Sequence, residues 1–437
     1  MISYSREIPL KYDVDVFVAG GGPAGFAAAL AASRLGRRVF LAEAQGSLGG
    51  AGTAGLVPSF ATFGDGVHIL ADGIGRELRE RARPDVPLDT YWTPIRVEDL
   101  KRAYDDMIAE STVAYSLFTT VCDVVATDGH VDYVVLTAKS GLFAVKASIY
   151  IDCTGDADLC ALGGGQYETG DAEGRVMPST LCSIWAGIDY GRVTLGDGAK
   201  LEEAFKDGVF TYEDRHLSGI FPTDKTLGVG GGNVGHTFGV DPLDEISLTK
   251  AVTWGRRSML EYRRYYQGYL PGYEKAEPIL TGNVLGVRES RRVTCDYTLC
   301  VDDFVARAVF DDEIGRYCYP VDIHVMTTDK SEYSRFQQEY GKTYRYEKGE
   351  SYGIPYRSLI PVSFRNMLVA GRCIGTDRQM QASIRVMPGC FITGQAAGAA
   401  AALAVDSGET RRVKAEALQE KLVSLGAYLP NYRKTKA

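Results

Sequence analysis

Gly20, Gly22 and Gly25 stand between an apolar run, Val14 to Ala19, and an Ala-rich stretch, Pro23 to Leu35, and Glu43 closes the next apolar run. This order of strand, glycine turn, helix, strand and acid constrains the chain more than any other feature, because each position has its own mechanical task. Gly20 makes the tight turn, Gly22 lets the backbone approach a pyrophosphate, and Gly25 lets helix and strand pack closely. Pro23 and Ala24 open the helix, whose N-terminal amides carry partial positive charge toward a diphosphate. Roughly twenty residues beyond the glycines, the Glu43 carboxylate is placed to accept both hydroxyls of a ribose, where a 2′-phosphate would be repelled. The expected ligand is a dinucleotide.

Gly230, Gly232 and Gly235 repeat the spacing, but Gly239, Asp241 and Pro242 follow where a helix should run and no β-rich run precedes them. This second copy reads as a mobile loop. A further glycine cluster, Gly46 to Gly55, lies just after the first βαβ unit; such a segment reads as irregular and lets backbone approach a flat ligand, so it is expected to cover the far end of the dinucleotide.

The 437 residues suffice for two or three domains, and 45% hydrophobic with 24% charged residues is an ordinary globular balance. A net charge of −8 argues against nucleic acid as a partner; Arg291 with Arg292 and the tail from Arg433 to Lys436 are too small to reverse it. Met1 to Lys11 carries charges and no apolar core, and the longest apolar candidate, Gln395 to Val405, is about half the length of a membrane span. The expectation is a cytoplasmic protein without a membrane partner. Nine cysteines without a CxxC fit reduced thiols, and neither a metal nor an iron-sulfur centre is expected.

Three β-rich runs, Thr119 to Val125, Val131 to Ala138 and Leu142 to Lys146, are separated by Asp128-Gly129 and Ser140-Gly141, which predicts an antiparallel meander. It feeds into Ala147 to Asp152, a buried parallel strand ending in Cys153-Thr154-Gly155-Asp156. The meander is therefore a crossover within a Rossmann sheet. After Gly165 the composition shifts to Tyr, Phe and His. Here Ser247 is expected to cap a long helix through Trp254, Met259 and Tyr262 that stops at Pro271-Gly272, its tyrosines at 262, 265, 266, 269 and 273 forming a packing stripe. The nucleotide fold resumes with the strand Asn366 to Ala370, Gly371-Arg372, Gly375, Asp377 and a helix from Phe391 to Val405.

GGGPAG near the start, a glutamate ending the second strand, a meander leading to DCTGD and a C-terminal strand, loop and helix together resemble the FAD-dependent oxidoreductases with a glutathione-reductase-like Rossmann domain. MPSTL at 177–181, GVRESRR at 286–292, VDIH at 321–324, YGIPYRSLIP at 352–361 and AGRCIG followed by SIRVMPGCFITGQAAGAAAALA extend the resemblance over nearly the whole chain. It implies an α/β fold: a Rossmann-type FAD-binding domain with a three-stranded antiparallel crossover meander in residues 1–165 and 354–437, and an inserted mixed α+β substrate domain in 166–353. It also implies FAD as resident cofactor, and a single complete fingerprint agrees, because no nicotinamide domain follows. By position, Gly20, Gly22 and Gly25 take the pyrophosphate, with Pro23 and Ala24 beside them, Glu43 the ribose and the Val121 backbone the adenine edge. Gly49, Gly50 and Thr53 flank the ribityl and flavin. Thr154, Gly155, Gly371 and Arg372 line the cofactor, and Asp377 takes ribitol or pyrophosphate, although the usual Gly-Asp is here Gly375-Thr376-Asp377.

A flavin accepts hydride at N5, and the anion left at N1 and O2 needs stabilisation; the amides of Cys390 and Phe391, at a helix beginning near Gly389, are the expected donors. A substrate O–H or N–H also needs a base, and histidine suits neutral pH. Of five histidines, His68 and His130 read as surface residues and His216 is uninformative, which leaves His236 and His324 as acid/base candidates. Asp322 orients His324 only if the pleat allows it. Arg288 and Arg291 are candidates for binding a carboxylate or polarising a carbonyl, with a salt bridge to Glu289 as the structural alternative. Cys373 and Cys390 both fall near the expected flavin but lack the close spacing of a dithiol relay.

The sequence thus predicts oxidation of a small polar, hydroxylated or sugar-like substrate, with oxygen or a carrier as external acceptor; a homo-oligomer is compatible with it. Reduction of an activated C=C bond and a non-catalytic flavin-binding module stand as alternatives.

Overall fold

In the computed structural model, which describes residues 1–437 except 4, 195–197, 341–342 and 433–437, the opening strand Leu10–Ala19 pairs in parallel with Val39–Ala42 on one side and with Gly141–Asp152 on the other. Ala114–Ser116 extends the sheet beyond Val39–Ala42, and Met367–Val369 pairs in parallel with the end of Gly141–Asp152. Val16 to Ala19, Phe40 and Leu41 are almost wholly buried, as the central strands of a doubly wound α/β sheet must be. The basic tail from Arg433 to Lys436 lies outside the described residues.

Asp128 and Gly129, at φ 49° and 75°, turn the chain between Thr120–Thr127 and His130–Ala138; two successive positive φ values match the right-handed twist of flanking antiparallel strands. The next strand is continuous from Gly141 to Asp152. Its first residues pair with His130–Ala138 and its last three with Met367–Val369. The sequence pattern divides it at Lys146, but no turn residue interrupts it, so one strand serves both the antiparallel ribbon and the parallel sheet.

A helix of small residues, Pro23–Arg34, packs on another, Met387–Ala404, of which every residue but Leu403 is buried. A Cβ added to Gly394 would overlap the carbonyl oxygen of Ala24, and one on Gly398 that of Ala28. The second helix begins at Met387, with Pro388 in its first turn, and not at Phe391, because proline suits the turn where no amide needs a partner. The preceding short helix, Arg378–Ile384, meets it at 94°; no single helix among the described residues is long and apolar enough to cross a membrane.

A second, antiparallel sheet has the order Gly219–Asp224, Val229–Asn233, Ser183–Ala186, Glu277–Thr281. The second glycine motif is therefore not a loop at its start. Gly230, Gly231 and Gly232 form a central strand, and added Cβ atoms there would press on Ile220, Pro58 and the Trp185 indole; glycine is required by close packing, which overrides its poor strand propensity. Beside this sheet runs Glu245–Tyr269, capped by Asp244, whose carboxylate accepts from the Ser247 amide at 2.6 Å. Ser247, the expected cap, instead lies within the helix and its hydroxyl accepts from the Asp241 amide. Tyr262, Tyr265, Tyr266 and Tyr273 pack with Trp185 in a separate buried cluster, as the stripe predicts.

The helix contact gives a direct test. Gly398→Val forces a branched side chain onto the Ala28 carbonyl and is expected to lower unfolding free energy by about 3 kcal/mol. Gly22→Ala, at an ordinary φ of −66° with nothing within 4 Å of the added methyl, is expected to cost less than about 1 kcal/mol. Denaturant melts of the ligand-free variants measure both; equal losses would contradict the packing account.

Candidate cofactor site and active site

Gly20, at φ 89°, turns the chain where a Cβ would stand 2.6 Å from the Cys153 carbonyl oxygen, and a Cβ on Gly25 would overlap the carbonyl of Gly20. Gly22 caps the helix Pro23–Arg34 with nothing on its open side, and that helix has neither a side-chain cap nor an acid in its first turn, so its end is left to attract an anion. Glu43, 7% exposed, reaches back to this turn: Oε2 accepts from the Gly21 amide at 2.6 Å and Oε1 from the Gln45 amide at 2.7 Å. Burial raises its carboxyl and the amides counter it.

The glycine cluster from Gly46 to Gly55 folds onto the same turn. The Gly49 amide donates to the Gly21 carbonyl at 2.9 Å, and a Cβ on Gly50 would stand 3.2 Å from the Cα of Gly22. Gly50–Gly52 is a short 3-10 turn and the Thr53 hydroxyl donates to the Leu48 carbonyl at 2.6 Å, so the segment is more ordered than its composition suggests. Thr154, Gly155, Gly371 and Arg372 gather at the C-terminal ends of the parallel strands. Asp152, fully buried and pushed up to about 6 by that burial, holds the Thr154 amide and hydroxyl and the Cys160 amide. The Arg372 guanidinium lies over Gly155 and pairs with Asp156, and the Gly371 amide donates to the Thr393 hydroxyl.

Four expected cofactor contacts are placed differently. The backbone that bonds to the Glu43 segment is Thr119, donating to the Glu43 carbonyl at 2.9 Å, and Phe118, donating to the Gln45 carbonyl at 3.2 Å; Val121 pairs with Leu136. Phe118, 65% exposed, stands over Gly46, and an aromatic residue entering the meander was its only trace in the sequence. Asp377 is the cap of Arg378–Ile384, its two carboxylate oxygens accepting from the Met380 and Val301 amides at 2.7 Å. The Cys390 amide is spent on the Val386 carbonyl. The helix starts earlier than expected, so Met387 and Gly389, and not Cys390 or Phe391, supply the amides of its first turn. The Phe391 ring packs on Phe60 and Phe63.

The two histidine candidates meet in the interior. His236 Nε2 lies 2.8 Å from His324 Nδ1, and both residues are buried. Behind them Asp214 accepts the amides of His216 and His236 at 3.0 Å and lies 2.9 Å from His236 Nδ1. Burial opposes ionisation of Asp214, but His236 and the amides outweigh it and hold the carboxyl low. In front, His324 Nε2 stands 3.4 Å from Asp322 Oδ2, which also takes Arg385 Nη2 at 3.2 Å. Residues 321–325 belong to no strand, so the pleat restriction on Asp322 does not apply. The His216 ring stacks on that of His324, centroids 4.1 Å apart and planes 2° apart, with its Nδ1 buried and unpartnered. His216 and Asp214 were not among the sequence candidates; His216 had no motif to mark it.

The contacts admit one continuous order of hydrogen bonds: with the His236 Nδ1–H on Asp214, His236 Nε2 can accept from His324 Nδ1–H, and the His324 Nε2 lone pair then faces Asp322. Burial, with Arg288 and His216 nearby, holds His324 well below the usual imidazole range, and burial pushes His216 down to about 4. One added proton on His324 Nε2 converts its contact with Asp322 into a donor–acceptor pair. His216, Asp322 and His324 also offer ligand atoms within 4.8 Å of one another. Arg385 Nη2 contacts the same Asp322 oxygen at 3.2 Å.

Arg385 ties this network to the cofactor end. It sits between the helix ending at Ile384 and the one starting at Met387, whose sulfur would be 3.0 Å from a Cβ on Gly52. The arginine cluster separates into distinct tasks. Glu289, fully buried, pairs with Arg292 and Arg378 at 2.9 Å. Arg291 is tied to Asp158 and the Asp156 carbonyl and faces the Tyr167 ring, so its acid is already supplied. Arg288 is not paired with Glu289; it faces Pro178, Thr180 and Asn233. Burial pushes the Cys390 thiol up to about 12 and the Cys373 thiol well up, leaving both poor nucleophiles.

A family model described as FAD dependent oxidoreductase matches residues 15–422. Among curated proteins, the thiamine thiazole synthase of Desulfosudis oleivorans is 33% identical over 165 residues, 35% of this chain and 60% of that protein, so the match spans less than two thirds of the relative. Among solved structures, a geranylgeranyl bacteriochlorophyll reductase-like protein from Thermoplasma acidophilum aligns over 95% of this chain and 83% of its own at 12% identity and a TM-score of 0.47. The p-nitrophenol 4-monooxygenase PnpA of Pseudomonas putida aligns over 95% and 85% at 12% identity and a TM-score of 0.42.

The depressed histidines fix the sign of a pH effect. Between pH 6.5, the ordinary imidazole value, and about 4 the unfolded chain binds a proton at His216 that the native protein does not, so stability falls as pH falls through this window. Urea melts between pH 7 and 4 are expected to show that loss, and His216→Gln to reduce its slope; an unchanged slope would contradict the burial of a neutral His216.

Proposed function

The chain belongs to the FAD dependent oxidoreductase family and is an FAD enzyme; from that premise we propose that it oxidises a small hydroxylated substrate, the proton leaving through a buried relay built on Asp214, His236 and His324. When bound, FAD supplies the two-electron chemistry by accepting hydride at N5. The residues present fit the cofactor: the open side of Gly22 and the uncapped helix end suit a diphosphate, and Glu43 beside them suits a ribose.

The observation that carries the reading is the 2.8 Å contact between His236 and His324, backed by Asp214. His324 Nε2 takes the substrate's O–H proton. Asp214 fixes the tautomer of His236, which fixes that of His324, and Asp322 receives the resulting N–H while Arg385 holds Asp322 in place. Pro58 lies against the strand Val229–Asn233 and the Asn283 amide donates to the Ala54 carbonyl, which supports residues 166–353 as the part that closes over substrate; the pairing of Met367–Val369 with Gly141–Asp152 supports 354–437 as the return to the cofactor fold. Oxygen or a soluble carrier then serves as acceptor.

Anaerobic mixing of the FAD-loaded protein with a panel of alcohols, sugars and hydroxy acids tests this through loss of flavin absorbance. His324→Asn is expected to keep the flavin and slow its reduction about 100-fold or more, and Asp214→Asn to act in the same direction. Reduction at the unchanged rate in His324→Asn would reject the relay, and a flavin that is reoxidised by activated alkenes but reduced by none of the donors would favour C=C reduction instead. Separately, Glu43→Ala is expected to weaken FAD retention by about tenfold, the worth of a charge-assisted hydrogen bond; retention equal to the unmodified protein on equilibrium dialysis would contradict its ribose role.

A further inference from the structure

Arg288 is 8% exposed, yet its guanidinium is only partly used. Nη1 gives two good hydrogen bonds, to the Pro178 carbonyl and the Thr180 hydroxyl at 2.9 Å, whereas Nη2 reaches Asn233 Oδ1 only at 3.4 Å. Among the described residues no carboxylate forms an ion pair with it, although the similarly buried Arg83, Arg292 and Arg316 each hold one at 2.8 or 2.9 Å. Arg79, another buried arginine without such a pair, instead spends both terminal nitrogens on the carbonyls of Arg83, Val86 and Pro87 and the Thr93 hydroxyl. Arg288 Nη2 has only the long contact to Asn233. Burial lowers it to about 10, and repulsion from Arg385 adds to this; a buried cation left in that condition is costly unless an anion arrives.

Its position says where such an anion would go. Asp322, His324 and Arg385 all lie within electrostatic reach of Arg288, Asp322 is already matched to Arg385, and Asn233 offers Nη2 only a carbonyl oxygen at 3.4 Å. We propose that Arg288 seats a carboxylate of the substrate, so that the compound oxidised is a hydroxy or amino carboxylic acid held next to the proton relay. The N–H groups of Nη2, held only by the long contact to Asn233, are free to donate to a carboxylate; a phosphate dianion would call for more donors than this one nitrogen offers. This rests on the hydride-transfer reading. The substrate C–H bond breaks with its electron pair leaving as hydride for oxidised FAD, the O–H or N–H proton goes to His324 Nε2, and a C=O or C=N bond forms beside a carboxylate that stays on Arg288. The external acceptor restores oxidised FAD.

The test needs no turnover. FAD-loaded protein is titrated with acetate, glycolate, succinate and benzoate and with their primary amides, following heat of binding and the oxidised-flavin spectrum. At least one acid is expected to bind about 10- to 100-fold tighter than its amide, the range for a charge-assisted hydrogen bond. Arg288→Gln is expected to bring that ratio near one and Arg288→Lys to keep part of it, with flavin content and circular dichroism checking that each variant folds. Acids that bind no better than their amides in the unmodified protein overturn the proposal, as does an undiminished ratio in folded Arg288→Gln. A colourless protein that cannot be loaded with FAD defeats the hydride-transfer reading itself, whereas a yellow protein bleached by neutral alcohols with no preference for acids defeats only the carboxylate seat.

Discussion

Two helices from opposite ends of the chain touch backbone to backbone, and the position of the candidate site follows from that contact. Gly394 and Gly398 leave room for the carbonyls of Ala24 and Ala28, so the helix starting at Met387 runs directly beside the one starting at Pro23. Larger residues would hold the axes farther apart. Close approach brings two helix N-termini to the same end of the parallel sheet, one beside Gly22 and the other beside Gly52. It also fixes Arg385 at the corner where the second helix begins, and through Asp322 this arginine anchors the histidine pair. A contact between small residues thus sets where the second helix begins and where Arg385 meets Asp322.

The chemistry of the interior follows from burial. His324 and His216 are held neutral by the cost of charging an imidazole away from water, while Asp214 and Asp322 remain ionised because each has donors or a cation beside it. A neutral imidazole beside an ionised carboxylate suits the role of base proposed for His324. Groups with opposed pKa shifts in one enclosed space are characteristic of sites that move protons. Arg288 extends the same logic to an unpaired cation in that space.

Much of the cofactor end was legible because its requirements are local. Gly20, Gly22, Gly25 and Glu43 lie within one βαβ unit, and the turn, the helix start and the close helix–strand approach form where their spacing puts them; Gly49 and Gly50 fold onto Gly21 and Gly22. Helix starts were harder. Met387 precedes Phe391 because Pro388 favours a first turn, and Asp377 was drawn into capping a short helix. The strand Val229–Asn233 was hidden because its glycines answer to Trp185 and Pro58, residues remote in sequence. His236 and His324 stood out by residue type, but their contact, and the presence of Asp214 and His216, depend on loops that only the folded chain brings together. No periodicity encodes such a meeting.

The claim on which the rest turns is that cofactor and histidine pair share one chamber. A crystal structure of the FAD-loaded protein measures this directly. The account predicts the diphosphate on the open side of Gly22, the flavin ring beneath the Gly49 to Thr53 segment, and the side of the ring facing His324 and Arg385 open to a substrate between them. A flavin ring walled off from His324 by intervening protein, or a diphosphate bound away from Gly22, would contradict it.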